Sequence, residues 1–359
     1  MPRANYYGLI MAGGRGTRFW PRSRKRAAKQ VLKFIGERSL IQQTVDRLRP
    51  LIPPERIWII TNEYLLAEIR RQLPEVPPRQ VIAEPAQRNT APCVGLAARI
   101  LDTLDPDAVM GVFPADHVIT RPARYLRLLR PAFRAAAQGR IVVLGIQPRW
   151  PETGFGYVEF APGIQPGSGE VQPVARFREK PDAETAARFI AAGHYFWNAG
   201  MFFWRPRTYL DALREYLPKT AVLLESLPAF GSRYFATALS DCYPKCQDIS
   251  VDYAVMENAK DVCGVAADDI GWNDVGSWNA VYELLARKDG DNVSRGDLIA
   301  ESSTGNYVDA GGKLVALVGV NGLVVVDTPD ALLVTSREHA QRISQVVKML
   351  EKQRREDLL

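Results

Sequence analysis

The sequence predicts an α/β protein, with a mostly parallel, doubly wound sheet followed by a small β region and a terminal helix. Three features carry this expectation. Apolar strand-like runs alternate with helix-like stretches over the first 146 residues, the pattern of successive βα units. Those runs are apolar at nearly every position, as expected where helices cover both faces of a sheet. After about residue 290 the alternation gives way to short strands divided by Gly, Asn, Asp or Pro.

Each element has its own signal. YGLIMA (7–12) precedes SLIQQTVDRLR (39–49), in which Ile41, Val45 and Leu48 share one helical face. RIWIIT (56–61) precedes NEYLLAEIRRQL (62–73). QVIAE (80–84) precedes TAPCVGLAARILDTL (90–104), where Val94, Ala97, Ala98 and Leu101 share a face. AVMGVFPAD (108–116) precedes a helix over roughly 122–138, and RIVVLGI (140–146) closes the series. From about 147 to 205 turns and aromatics take over, which predicts an inserted subdomain of mixed strands. Helical character returns at 206–226 and 250–259, before the strand-like VCGVAA (262–267) and a helix starting near Ser277. NYVDA, KLVALVGV, GLVVVDT and ALLVTS supply the later strands, without a strict hexapeptide repeat. The last segment, REHAQRISQVVKMLEKQRREDLL, is amphipathic, with Ile343, Val346, Val347 and Leu350 on one face. It is expected to dock on its own chain rather than on a partner subunit.

Bulk properties narrow the function classes. The chain has 359 residues, 47% hydrophobic and 24% charged, with a formal net charge of +6 and a pI near 9.1. A basic balance suits an anionic ligand. No long Lys/Arg block with interleaved aromatics occurs, so nucleic acid is not an expected partner. Cys242 and Cys246 form a lone C-x3-C without a second pair, so they and Cys93 and Cys263 are expected as buried thiols rather than zinc ligands. The run from Tyr6 to Ala12 reaches glycine too early for a secretory segment, and no apolar stretch approaches a membrane span. The expected location is cytoplasmic, with no membrane partner.

In open α/β sheets, ligands sit at the carboxyl ends of strands, which points to the loops after Ala12, Glu84 and Phe113. The first of these lies in LIMAGGRGTRFWP (9–21). It is not a dinucleotide fingerprint, because Phe19 holds the third glycine place and Trp20-Pro21 interrupts any helix. Nor does the chain contain the G-x-x-x-x-G-K-[ST] string of a P-loop. Gly13, Gly14 and Gly16 still let backbone amides approach an oxyanion, and Arg18, Arg22, Arg24 and Lys29 add positive charge nearby.

Two aspartates stand at strand-to-loop transitions, Asp116 in VFPADH and Asp274 in DIGWNDVGSW. Such a pair suits magnesium, which takes one or two carboxylates together with phosphate oxygens. His117, beside Asp116, is expected to serve local packing. In FREKP (177–181) Lys180 can pair with a sugar phosphate while Glu179 is expected to point to the opposite side of an extended chain. Asn198, in an aromatic setting, is a sugar-hydroxyl reader or a turn former.

The motifs MAGGRGTRFWPRSR, KQ, AEPAQRNTAP, FPADH, GFGYVEF, FREKP, WNAGMF, SVDYAVME and GWNDVGSW stand in the order found in mannose-1-phosphate guanylyltransferases. Across about 270 residues the chain resembles that family, the GDP-mannose pyrophosphorylases of the sugar nucleotidyltransferase superfamily. The resemblance implies a Rossmann-like catalytic domain, placed at 1–288, and a short left-handed β-helix-like domain with the terminal helix at 289–359. It implies that GTP and mannose 1-phosphate give GDP-mannose and pyrophosphate, with Mg2+. The extra isomerase domain of longer bacterial members is not expected here, and the expected assembly is a homodimer. A sibling transferase acting on another sugar, such as a manno-heptose 1-phosphate, or on another nucleotide is the nearest rival, and a non-catalytic sugar-nucleotide-sensing subunit on the same fold is a more distant one. The family usually has Pro-Lys-Gln where this chain has Ala28-Lys29-Gln30, a change expected to loosen the loop while leaving the lysine in place.

By the same resemblance, Gly13, Gly14, Gly16, Thr17, Arg18 and Lys29 would hold the triphosphate. Asp116 and Asp274 would hold magnesium. Lys180 would grip the sugar phosphate, and Glu179 and Asn198 would read sugar hydroxyls near Gly156. Guanine offers N1–H and N2–H2 as adjacent donors, which one carboxylate can accept. Glu84, helped by Asn89 and Thr90, is therefore the expected selector of the base; the rival reading is that Glu84 makes a loop-bracing bond and backbone groups read the base.

Overall fold

The computed structural model describes residues 5–359. The chain runs β1 (Asn5–Met11), α1 (Leu40–Leu48), β2 (Ile57–Asn62), α2 (Glu63–Gln72), β3 (Val81–Glu84), α3 (Thr90–Leu104), β4 (Ala108–Pro114), β5 (Val118–Ile119), α4 (Pro122–Ala136) and β6 (Val142–Ile146). It continues through β7 (Tyr157–Phe160), β8 (Val171–Arg178), α5 (Ala183–Ala192), β9 (Tyr195–Trp204), α6 (Pro206–Tyr216), α7 (Pro218–Glu225) and α8 (Phe235–Cys242). Next come β10 (Cys263–Ala267), β11 (Trp272–Asn273) and α9 (Trp278–Leu285). The remaining elements are β12 (Val293–Arg295), β13 (Leu298–Glu301), β14 (Tyr307–Asp309), β15 (Val315–Val318), β16 (Leu323–Asp327), β17 (Leu332–Ser336) and α10 (Ile343–Lys352).

Nine strands form the main sheet in the order β3-β2-β1-β4-β9-β6-β10-β8-β7. β8 and β9 run against the other seven, so the sheet is mostly parallel in strand direction. The aromatic run 195–204 does not belong to an inserted subdomain. It forms β9, which lies between β4 and β6 at the centre of the sheet. The physical reason is that both faces of this run are apolar. Phe196, Phe202 and Trp204 pack into the core under α3 and α6, while Trp197, Met201 and Phe203 pack into the opposite core with α1 and α4. Period-2 alternation cannot distinguish such a strand from an edge piece when buried positions fall on both faces.

Helix starts follow their caps. Ser39 and Gln42 form a capping box on α1, and Asp182 caps α5 through Thr185 N–H. These fixed ends place the connecting loops at the carboxyl edge of the sheet.

The later strands stack as two parallel ladders, β12-β14-β16 and β13-β15, with β17 returning antiparallel to β16. At one corner of the coil Asn306, fully buried, donates to Asn292 Oδ1 and Val320 O and accepts from Leu323 N–H. The next helix, α10, lies on the chain's own glycine-rich loop. Ile343 and Val347 are buried in one apolar cluster with Phe19, Trp20, Phe34 and Trp278, and Val346 and Leu350 pack against it. The amphipathic face read from the sequence thus covers aromatic residues from near the start of the chain. All four cysteines are free and buried. No helix among the described residues is long and apolar enough to cross a membrane.

Candidate active site

The carboxyl ends of β1, β3 and β4 open on a cavity of about 780 Å³. One wall is the loop after β1. Its carbonyls are tied back into the protein: Thr61 Oγ1 donates to Ala12 O (2.9 Å), and Gln30 Nε2 donates to Ala12 O (2.7 Å) and Gly14 O (3.0 Å). Asn62 Nδ2 donates to Gly13 O at 3.3 Å. Among the described residues, no acceptor takes the amides of Gly13, Gly14 or Gly16. Successive free amides beside a cavity form an anion-binding concavity. Gly16 is required for a second reason. Its φ is +62°, and a Cβ there would stand 2.6 Å from Lys29 Cβ.

Behind this loop, Lys29 joins the two predicted aspartates. Its buried ammonium donates to Asp116 Oδ2 (2.8 Å) and to the Asp274 carbonyl (2.6 Å). Ala28, at φ −70° and 1% exposed, leads into the short turn Lys29–Val31 without disturbing that reach. Burial pushes the Asp116 carboxyl up, but the charge and hydrogen bond of Lys29 hold it below its ordinary range. Asp274 is raised by burial and by Asp116, against the opposing pull of Lys29. His117 is held down to about 4 by burial, and its Nδ1 accepts from Trp272 Nε1 at 3.2 Å. It is therefore a neutral packing residue at neutral pH. Asp274 does not cap α9, whose N-cap position is Ser277.

Two carboxylates that repel across a lysine, both lining the cavity, are the hard-oxygen donors a divalent cation takes. No cluster of three or more His, Cys, Asp or Glu side chains with metal-binding geometry occurs among the described residues. A cation here would take its remaining ligands from phosphate and water.

Glu84 ends β3 beside the glycine loop, 8% exposed, with Oε1 2.8 Å from where a Cβ on Gly13 would be. Burial raises its carboxyl to about 7, and the Tyr243 hydroxyl, donating to Oε2 at 2.7 Å, opposes that rise. Asn89 caps α3 through Thr90 N–H, and Thr90 Oγ1 accepts from Val251 N–H.

The far end of the cavity holds Gly156, Glu179, Asn198 and Asp252. A Cβ on Gly156 would stand 2.3 Å from Glu179 Oε2, an oxygen that is buried without a hydrogen-bond partner. Burial raises the carboxyls of Glu179 and Asp252. Asn198 Nδ2 donates to Asp252 Oδ1 at 2.7 Å, and its Oδ1 accepts from Gly200 N–H. The expectation that Glu179 and Lys180 point apart is wrong. Lys180 Nζ lies 3.0 Å from Glu179 Oε1. β8 ends at Arg178, and Lys180 has φ +42°, so the extended alternation has already stopped.

Of the residues expected from the sequence, Gly13, Gly14, Gly16, Thr17, Glu84, Asn89, Thr90, Asp116, Gly156, Glu179, Asn198 and Asp274 line this one cavity. Lys29 stands behind it, and Lys180 lies outside its lining, paired with Glu179. Arg18 lies outside the lining, donating to Gln341 Oε1 at 2.8 Å, and its charge opposes the rise of the Asp274 carboxyl. Sequence reasoning gave no role to Gln30, Tyr243 or Asp252. Gln30 and Asp252 stand inside quoted motifs, but Tyr243 had no signal beyond its place between two cysteines.

A mostly parallel α/β sheet, a free-amide loop and a buried lysine that ties the Asp116 carboxylate to the Asp274 backbone define an enzyme that handles nucleotide phosphates. The chain belongs to the nucleotidyl transferase family, whose profile matches residues 7–289. A second profile, the MannoseP isomerase/GMP-like beta-helix domain, matches residues 296–350. The mannose-1-phosphate guanylyltransferase of Klebsiella pneumoniae is 39% identical over 97% of this chain and 74% of its own length. That of Escherichia coli is also 39% identical over the same shares. A solved structure from Thermus thermophilus, described as a mannose-1-phosphate geranyltransferase, matches with TM-score 0.86 at 34% identity. It covers 97% of this chain and 99% of that one. The fold is thus a nucleotidyltransferase domain with a β-helix-like domain after it, and the chain is an enzyme of that type.

Proposed function

We propose that this chain transfers GMP from GTP to mannose 1-phosphate, forming GDP-mannose and pyrophosphate. The observation that carries the reading is the single cavity that joins the free amides of Gly13, Gly14 and Gly16 to an end lined by Glu179, Asn198 and Asp252. The named activity of the 39%-identical relatives supports the choice of substrates.

The chemistry needs little proton handling. With a second phosphate pKa of about 6, the sugar phosphate is already a dianion at neutral pH. One of its oxygens attacks the α-phosphorus in line. The bond from the α-phosphorus to the bridging oxygen breaks, and the electron pair leaves with pyrophosphate. No general base is required, which agrees with a neutral, packed His117. Catalysis is then positioning and charge neutralisation. The amides of Gly13, Gly14 and Gly16, with Thr17, hold the phosphates, and Arg18 swings in from Gln341 to join them. Lys29 fixes the carboxylate corner and adds positive charge behind it. Asp116 and Asp274 would hold magnesium, which supplies further neutralisation of the phosphates when bound. Glu84, with Asn89 and Thr90, selects guanine. Glu179 and Asn198 read sugar hydroxyls beside Gly156, and Lys180 takes the sugar phosphate once it leaves Glu179.

The same reading includes a catalytic domain over 1–288 and a C-terminal domain over 289–359, a cytoplasmic homodimer, and no nucleic-acid or membrane partner. Phosphorus NMR of the enzyme with GTP, mannose 1-phosphate and magnesium tests the reaction. Matched growth of GDP-mannose and pyrophosphate signals is expected. Hydrolysis of GTP to phosphate without a sugar nucleotide would overturn the reading.

A further inference from the structure

Tyr243 is fully buried and does not line the cavity, and its hydroxyl is hydrogen-bonded to Glu84. The turn that carries it, Tyr243–Lys245, is fastened a second time. Arg88, four residues after Glu84, donates from Nε to Pro244 O at 2.7 Å and also from Nη2. The loop after β3 and the turn after α8 are thus laced at two points. The carboxylate between them has unequal oxygens. Oε2 is held by Tyr243, whereas Oε1 has no hydrogen-bond partner among the described residues. Oε1 stands against the glycine loop, 2.8 Å from where a Cβ on Gly13 would be. No lysine or arginine pairs with Glu84 among the described residues, and its titratable neighbours Tyr243 and Cys93 are both pushed well up by burial.

We propose that Tyr243 is a positioning residue for base selection: by holding Oε2 it fixes the rotation of the Glu84 carboxylate, so that the carboxylate edge meets the N1–H and 2-amino donors of a purine. The inference rests on the GTP reading above and deepens it. A carboxylate oxygen has two lone pairs, so Oε2 can serve the tyrosine and one base donor together. Without the hydroxyl the carboxylate rotates freely, and the protonated form gains weight because the opposing hydrogen bond is gone. Either change penalises the 2-amino group. A base without that group, as in inosine triphosphate, has less to lose.

The test is a comparison of GTP with inosine triphosphate at saturating mannose 1-phosphate, for the wild type and Tyr243→Phe. Arg88→Lys serves as a second variant that loosens the same turn from outside the cavity. Wild type is expected to favour GTP by about 10- to 100-fold in kcat/KM, the discrimination of a site built to accept a hydrogen bond. Tyr243→Phe should raise KM for GTP about tenfold, with kcat and KM for mannose 1-phosphate nearly unchanged. Its preference for GTP over inosine triphosphate should fall toward one, and Arg88→Lys should move the ratio the same way by less. A folded Tyr243→Phe enzyme with an unchanged ratio overturns the inference. If Tyr243→Phe does not fold, an unchanged ratio in Arg88→Lys overturns it instead. A wild type that uses neither purine triphosphate defeats the GTP reading itself, and this inference with it.

Discussion

The two sides of the cavity are held by different means. The proposed sugar end and the aspartate corner are built from the sheet and the segments packed on it: Glu179 and Asp252 are raised by burial, and Asn198 is tied on both amide ends. The glycine loop is instead braced from the far end of the chain. Arg15 pairs with Glu351, Arg18 with Gln341, Arg22 with Asp309, Arg24 with Asp330 and Lys25 with Glu356. Trp20 Nε1 donates to Leu358 O, and its ring packs in the cluster that buries Ile343 and Val347. A loop rich in glycine has few side chains with which to hold itself, and its backbone must remain open to an anion. The C-terminal coil and α10 supply the missing contacts at the loop's outer side. Positioning of the carboxylates therefore comes from buried groups beside the sheet, whereas the brace joins exposed ion pairs to the Arg22–Asp309 pair and to a buried apolar cluster.

That contrast can be broken or sharpened by substitution. Asp274→Ala removes one of the two candidate metal carboxylates, and a metal's charge stabilisation is worth several kcal/mol. Magnesium-dependent turnover should fall by about 10³-fold. Near-normal activity would remove Asp274 from the corner. Gly16→Ala comes next. A side chain at φ +62° that collides with Lys29 must displace it, and a misplacement of about 1 Å can cost about 10²-fold in rate. Steady-state kinetics on a variant whose melting temperature stays close to wild type will show whether the lysine or the whole fold has been lost.

A tenfold effect is expected from pH. Glu84 has its carboxyl raised to about 7 by burial, so the proton goes on as pH falls through that value. If Glu84 accepts from guanine as proposed, the acceptor is then lost, and kcat/KM for GTP should drop about tenfold between pH 8 and pH 6. The step should vanish in Glu84→Gln; its persistence there would assign it to another group. The smallest effect belongs to the brace. Arg15 and Glu351 are 41% and 38% exposed, and exposed pairs contribute about 0.2–1 kcal/mol. A double-mutant cycle on thermal stability should give a coupling inside that range that shrinks with added salt. A coupling of several kcal/mol would mean that this exposed pair is not one of the brace's weak contacts.

Most of the sheet was readable because its strands are local apolar runs and its helices carry caps. α3 spans Thr90–Leu104, as its periodicity predicts. β9 was misplaced because its partners are long-range: nothing within Tyr195–Trp204 states that it pairs with β4 and β6 in reverse. β12 and β13 escaped notice because they are three and four residues long, with no fully buried position. In the site, the glycines and aspartates were legible through their place at strand ends. The Glu179–Lys180 pairing was not, because a positive φ at a lysine leaves no mark in composition. Tyr243 and Gln341 act through contacts 159 and 323 residues away in sequence, a distance that motif spacing cannot express.

The central claim concerns which two substrates meet in the cavity. The direct measurement is pyrophosphate release across a grid of GTP, ATP, UTP and CTP against mannose, glucose and manno-heptose 1-phosphates, with magnesium present. The account predicts the highest kcat/KM for GTP with mannose 1-phosphate, and a clear loss for every other nucleotide with the same sugar. A higher value for UTP, or for another sugar phosphate paired with GTP, would contradict it.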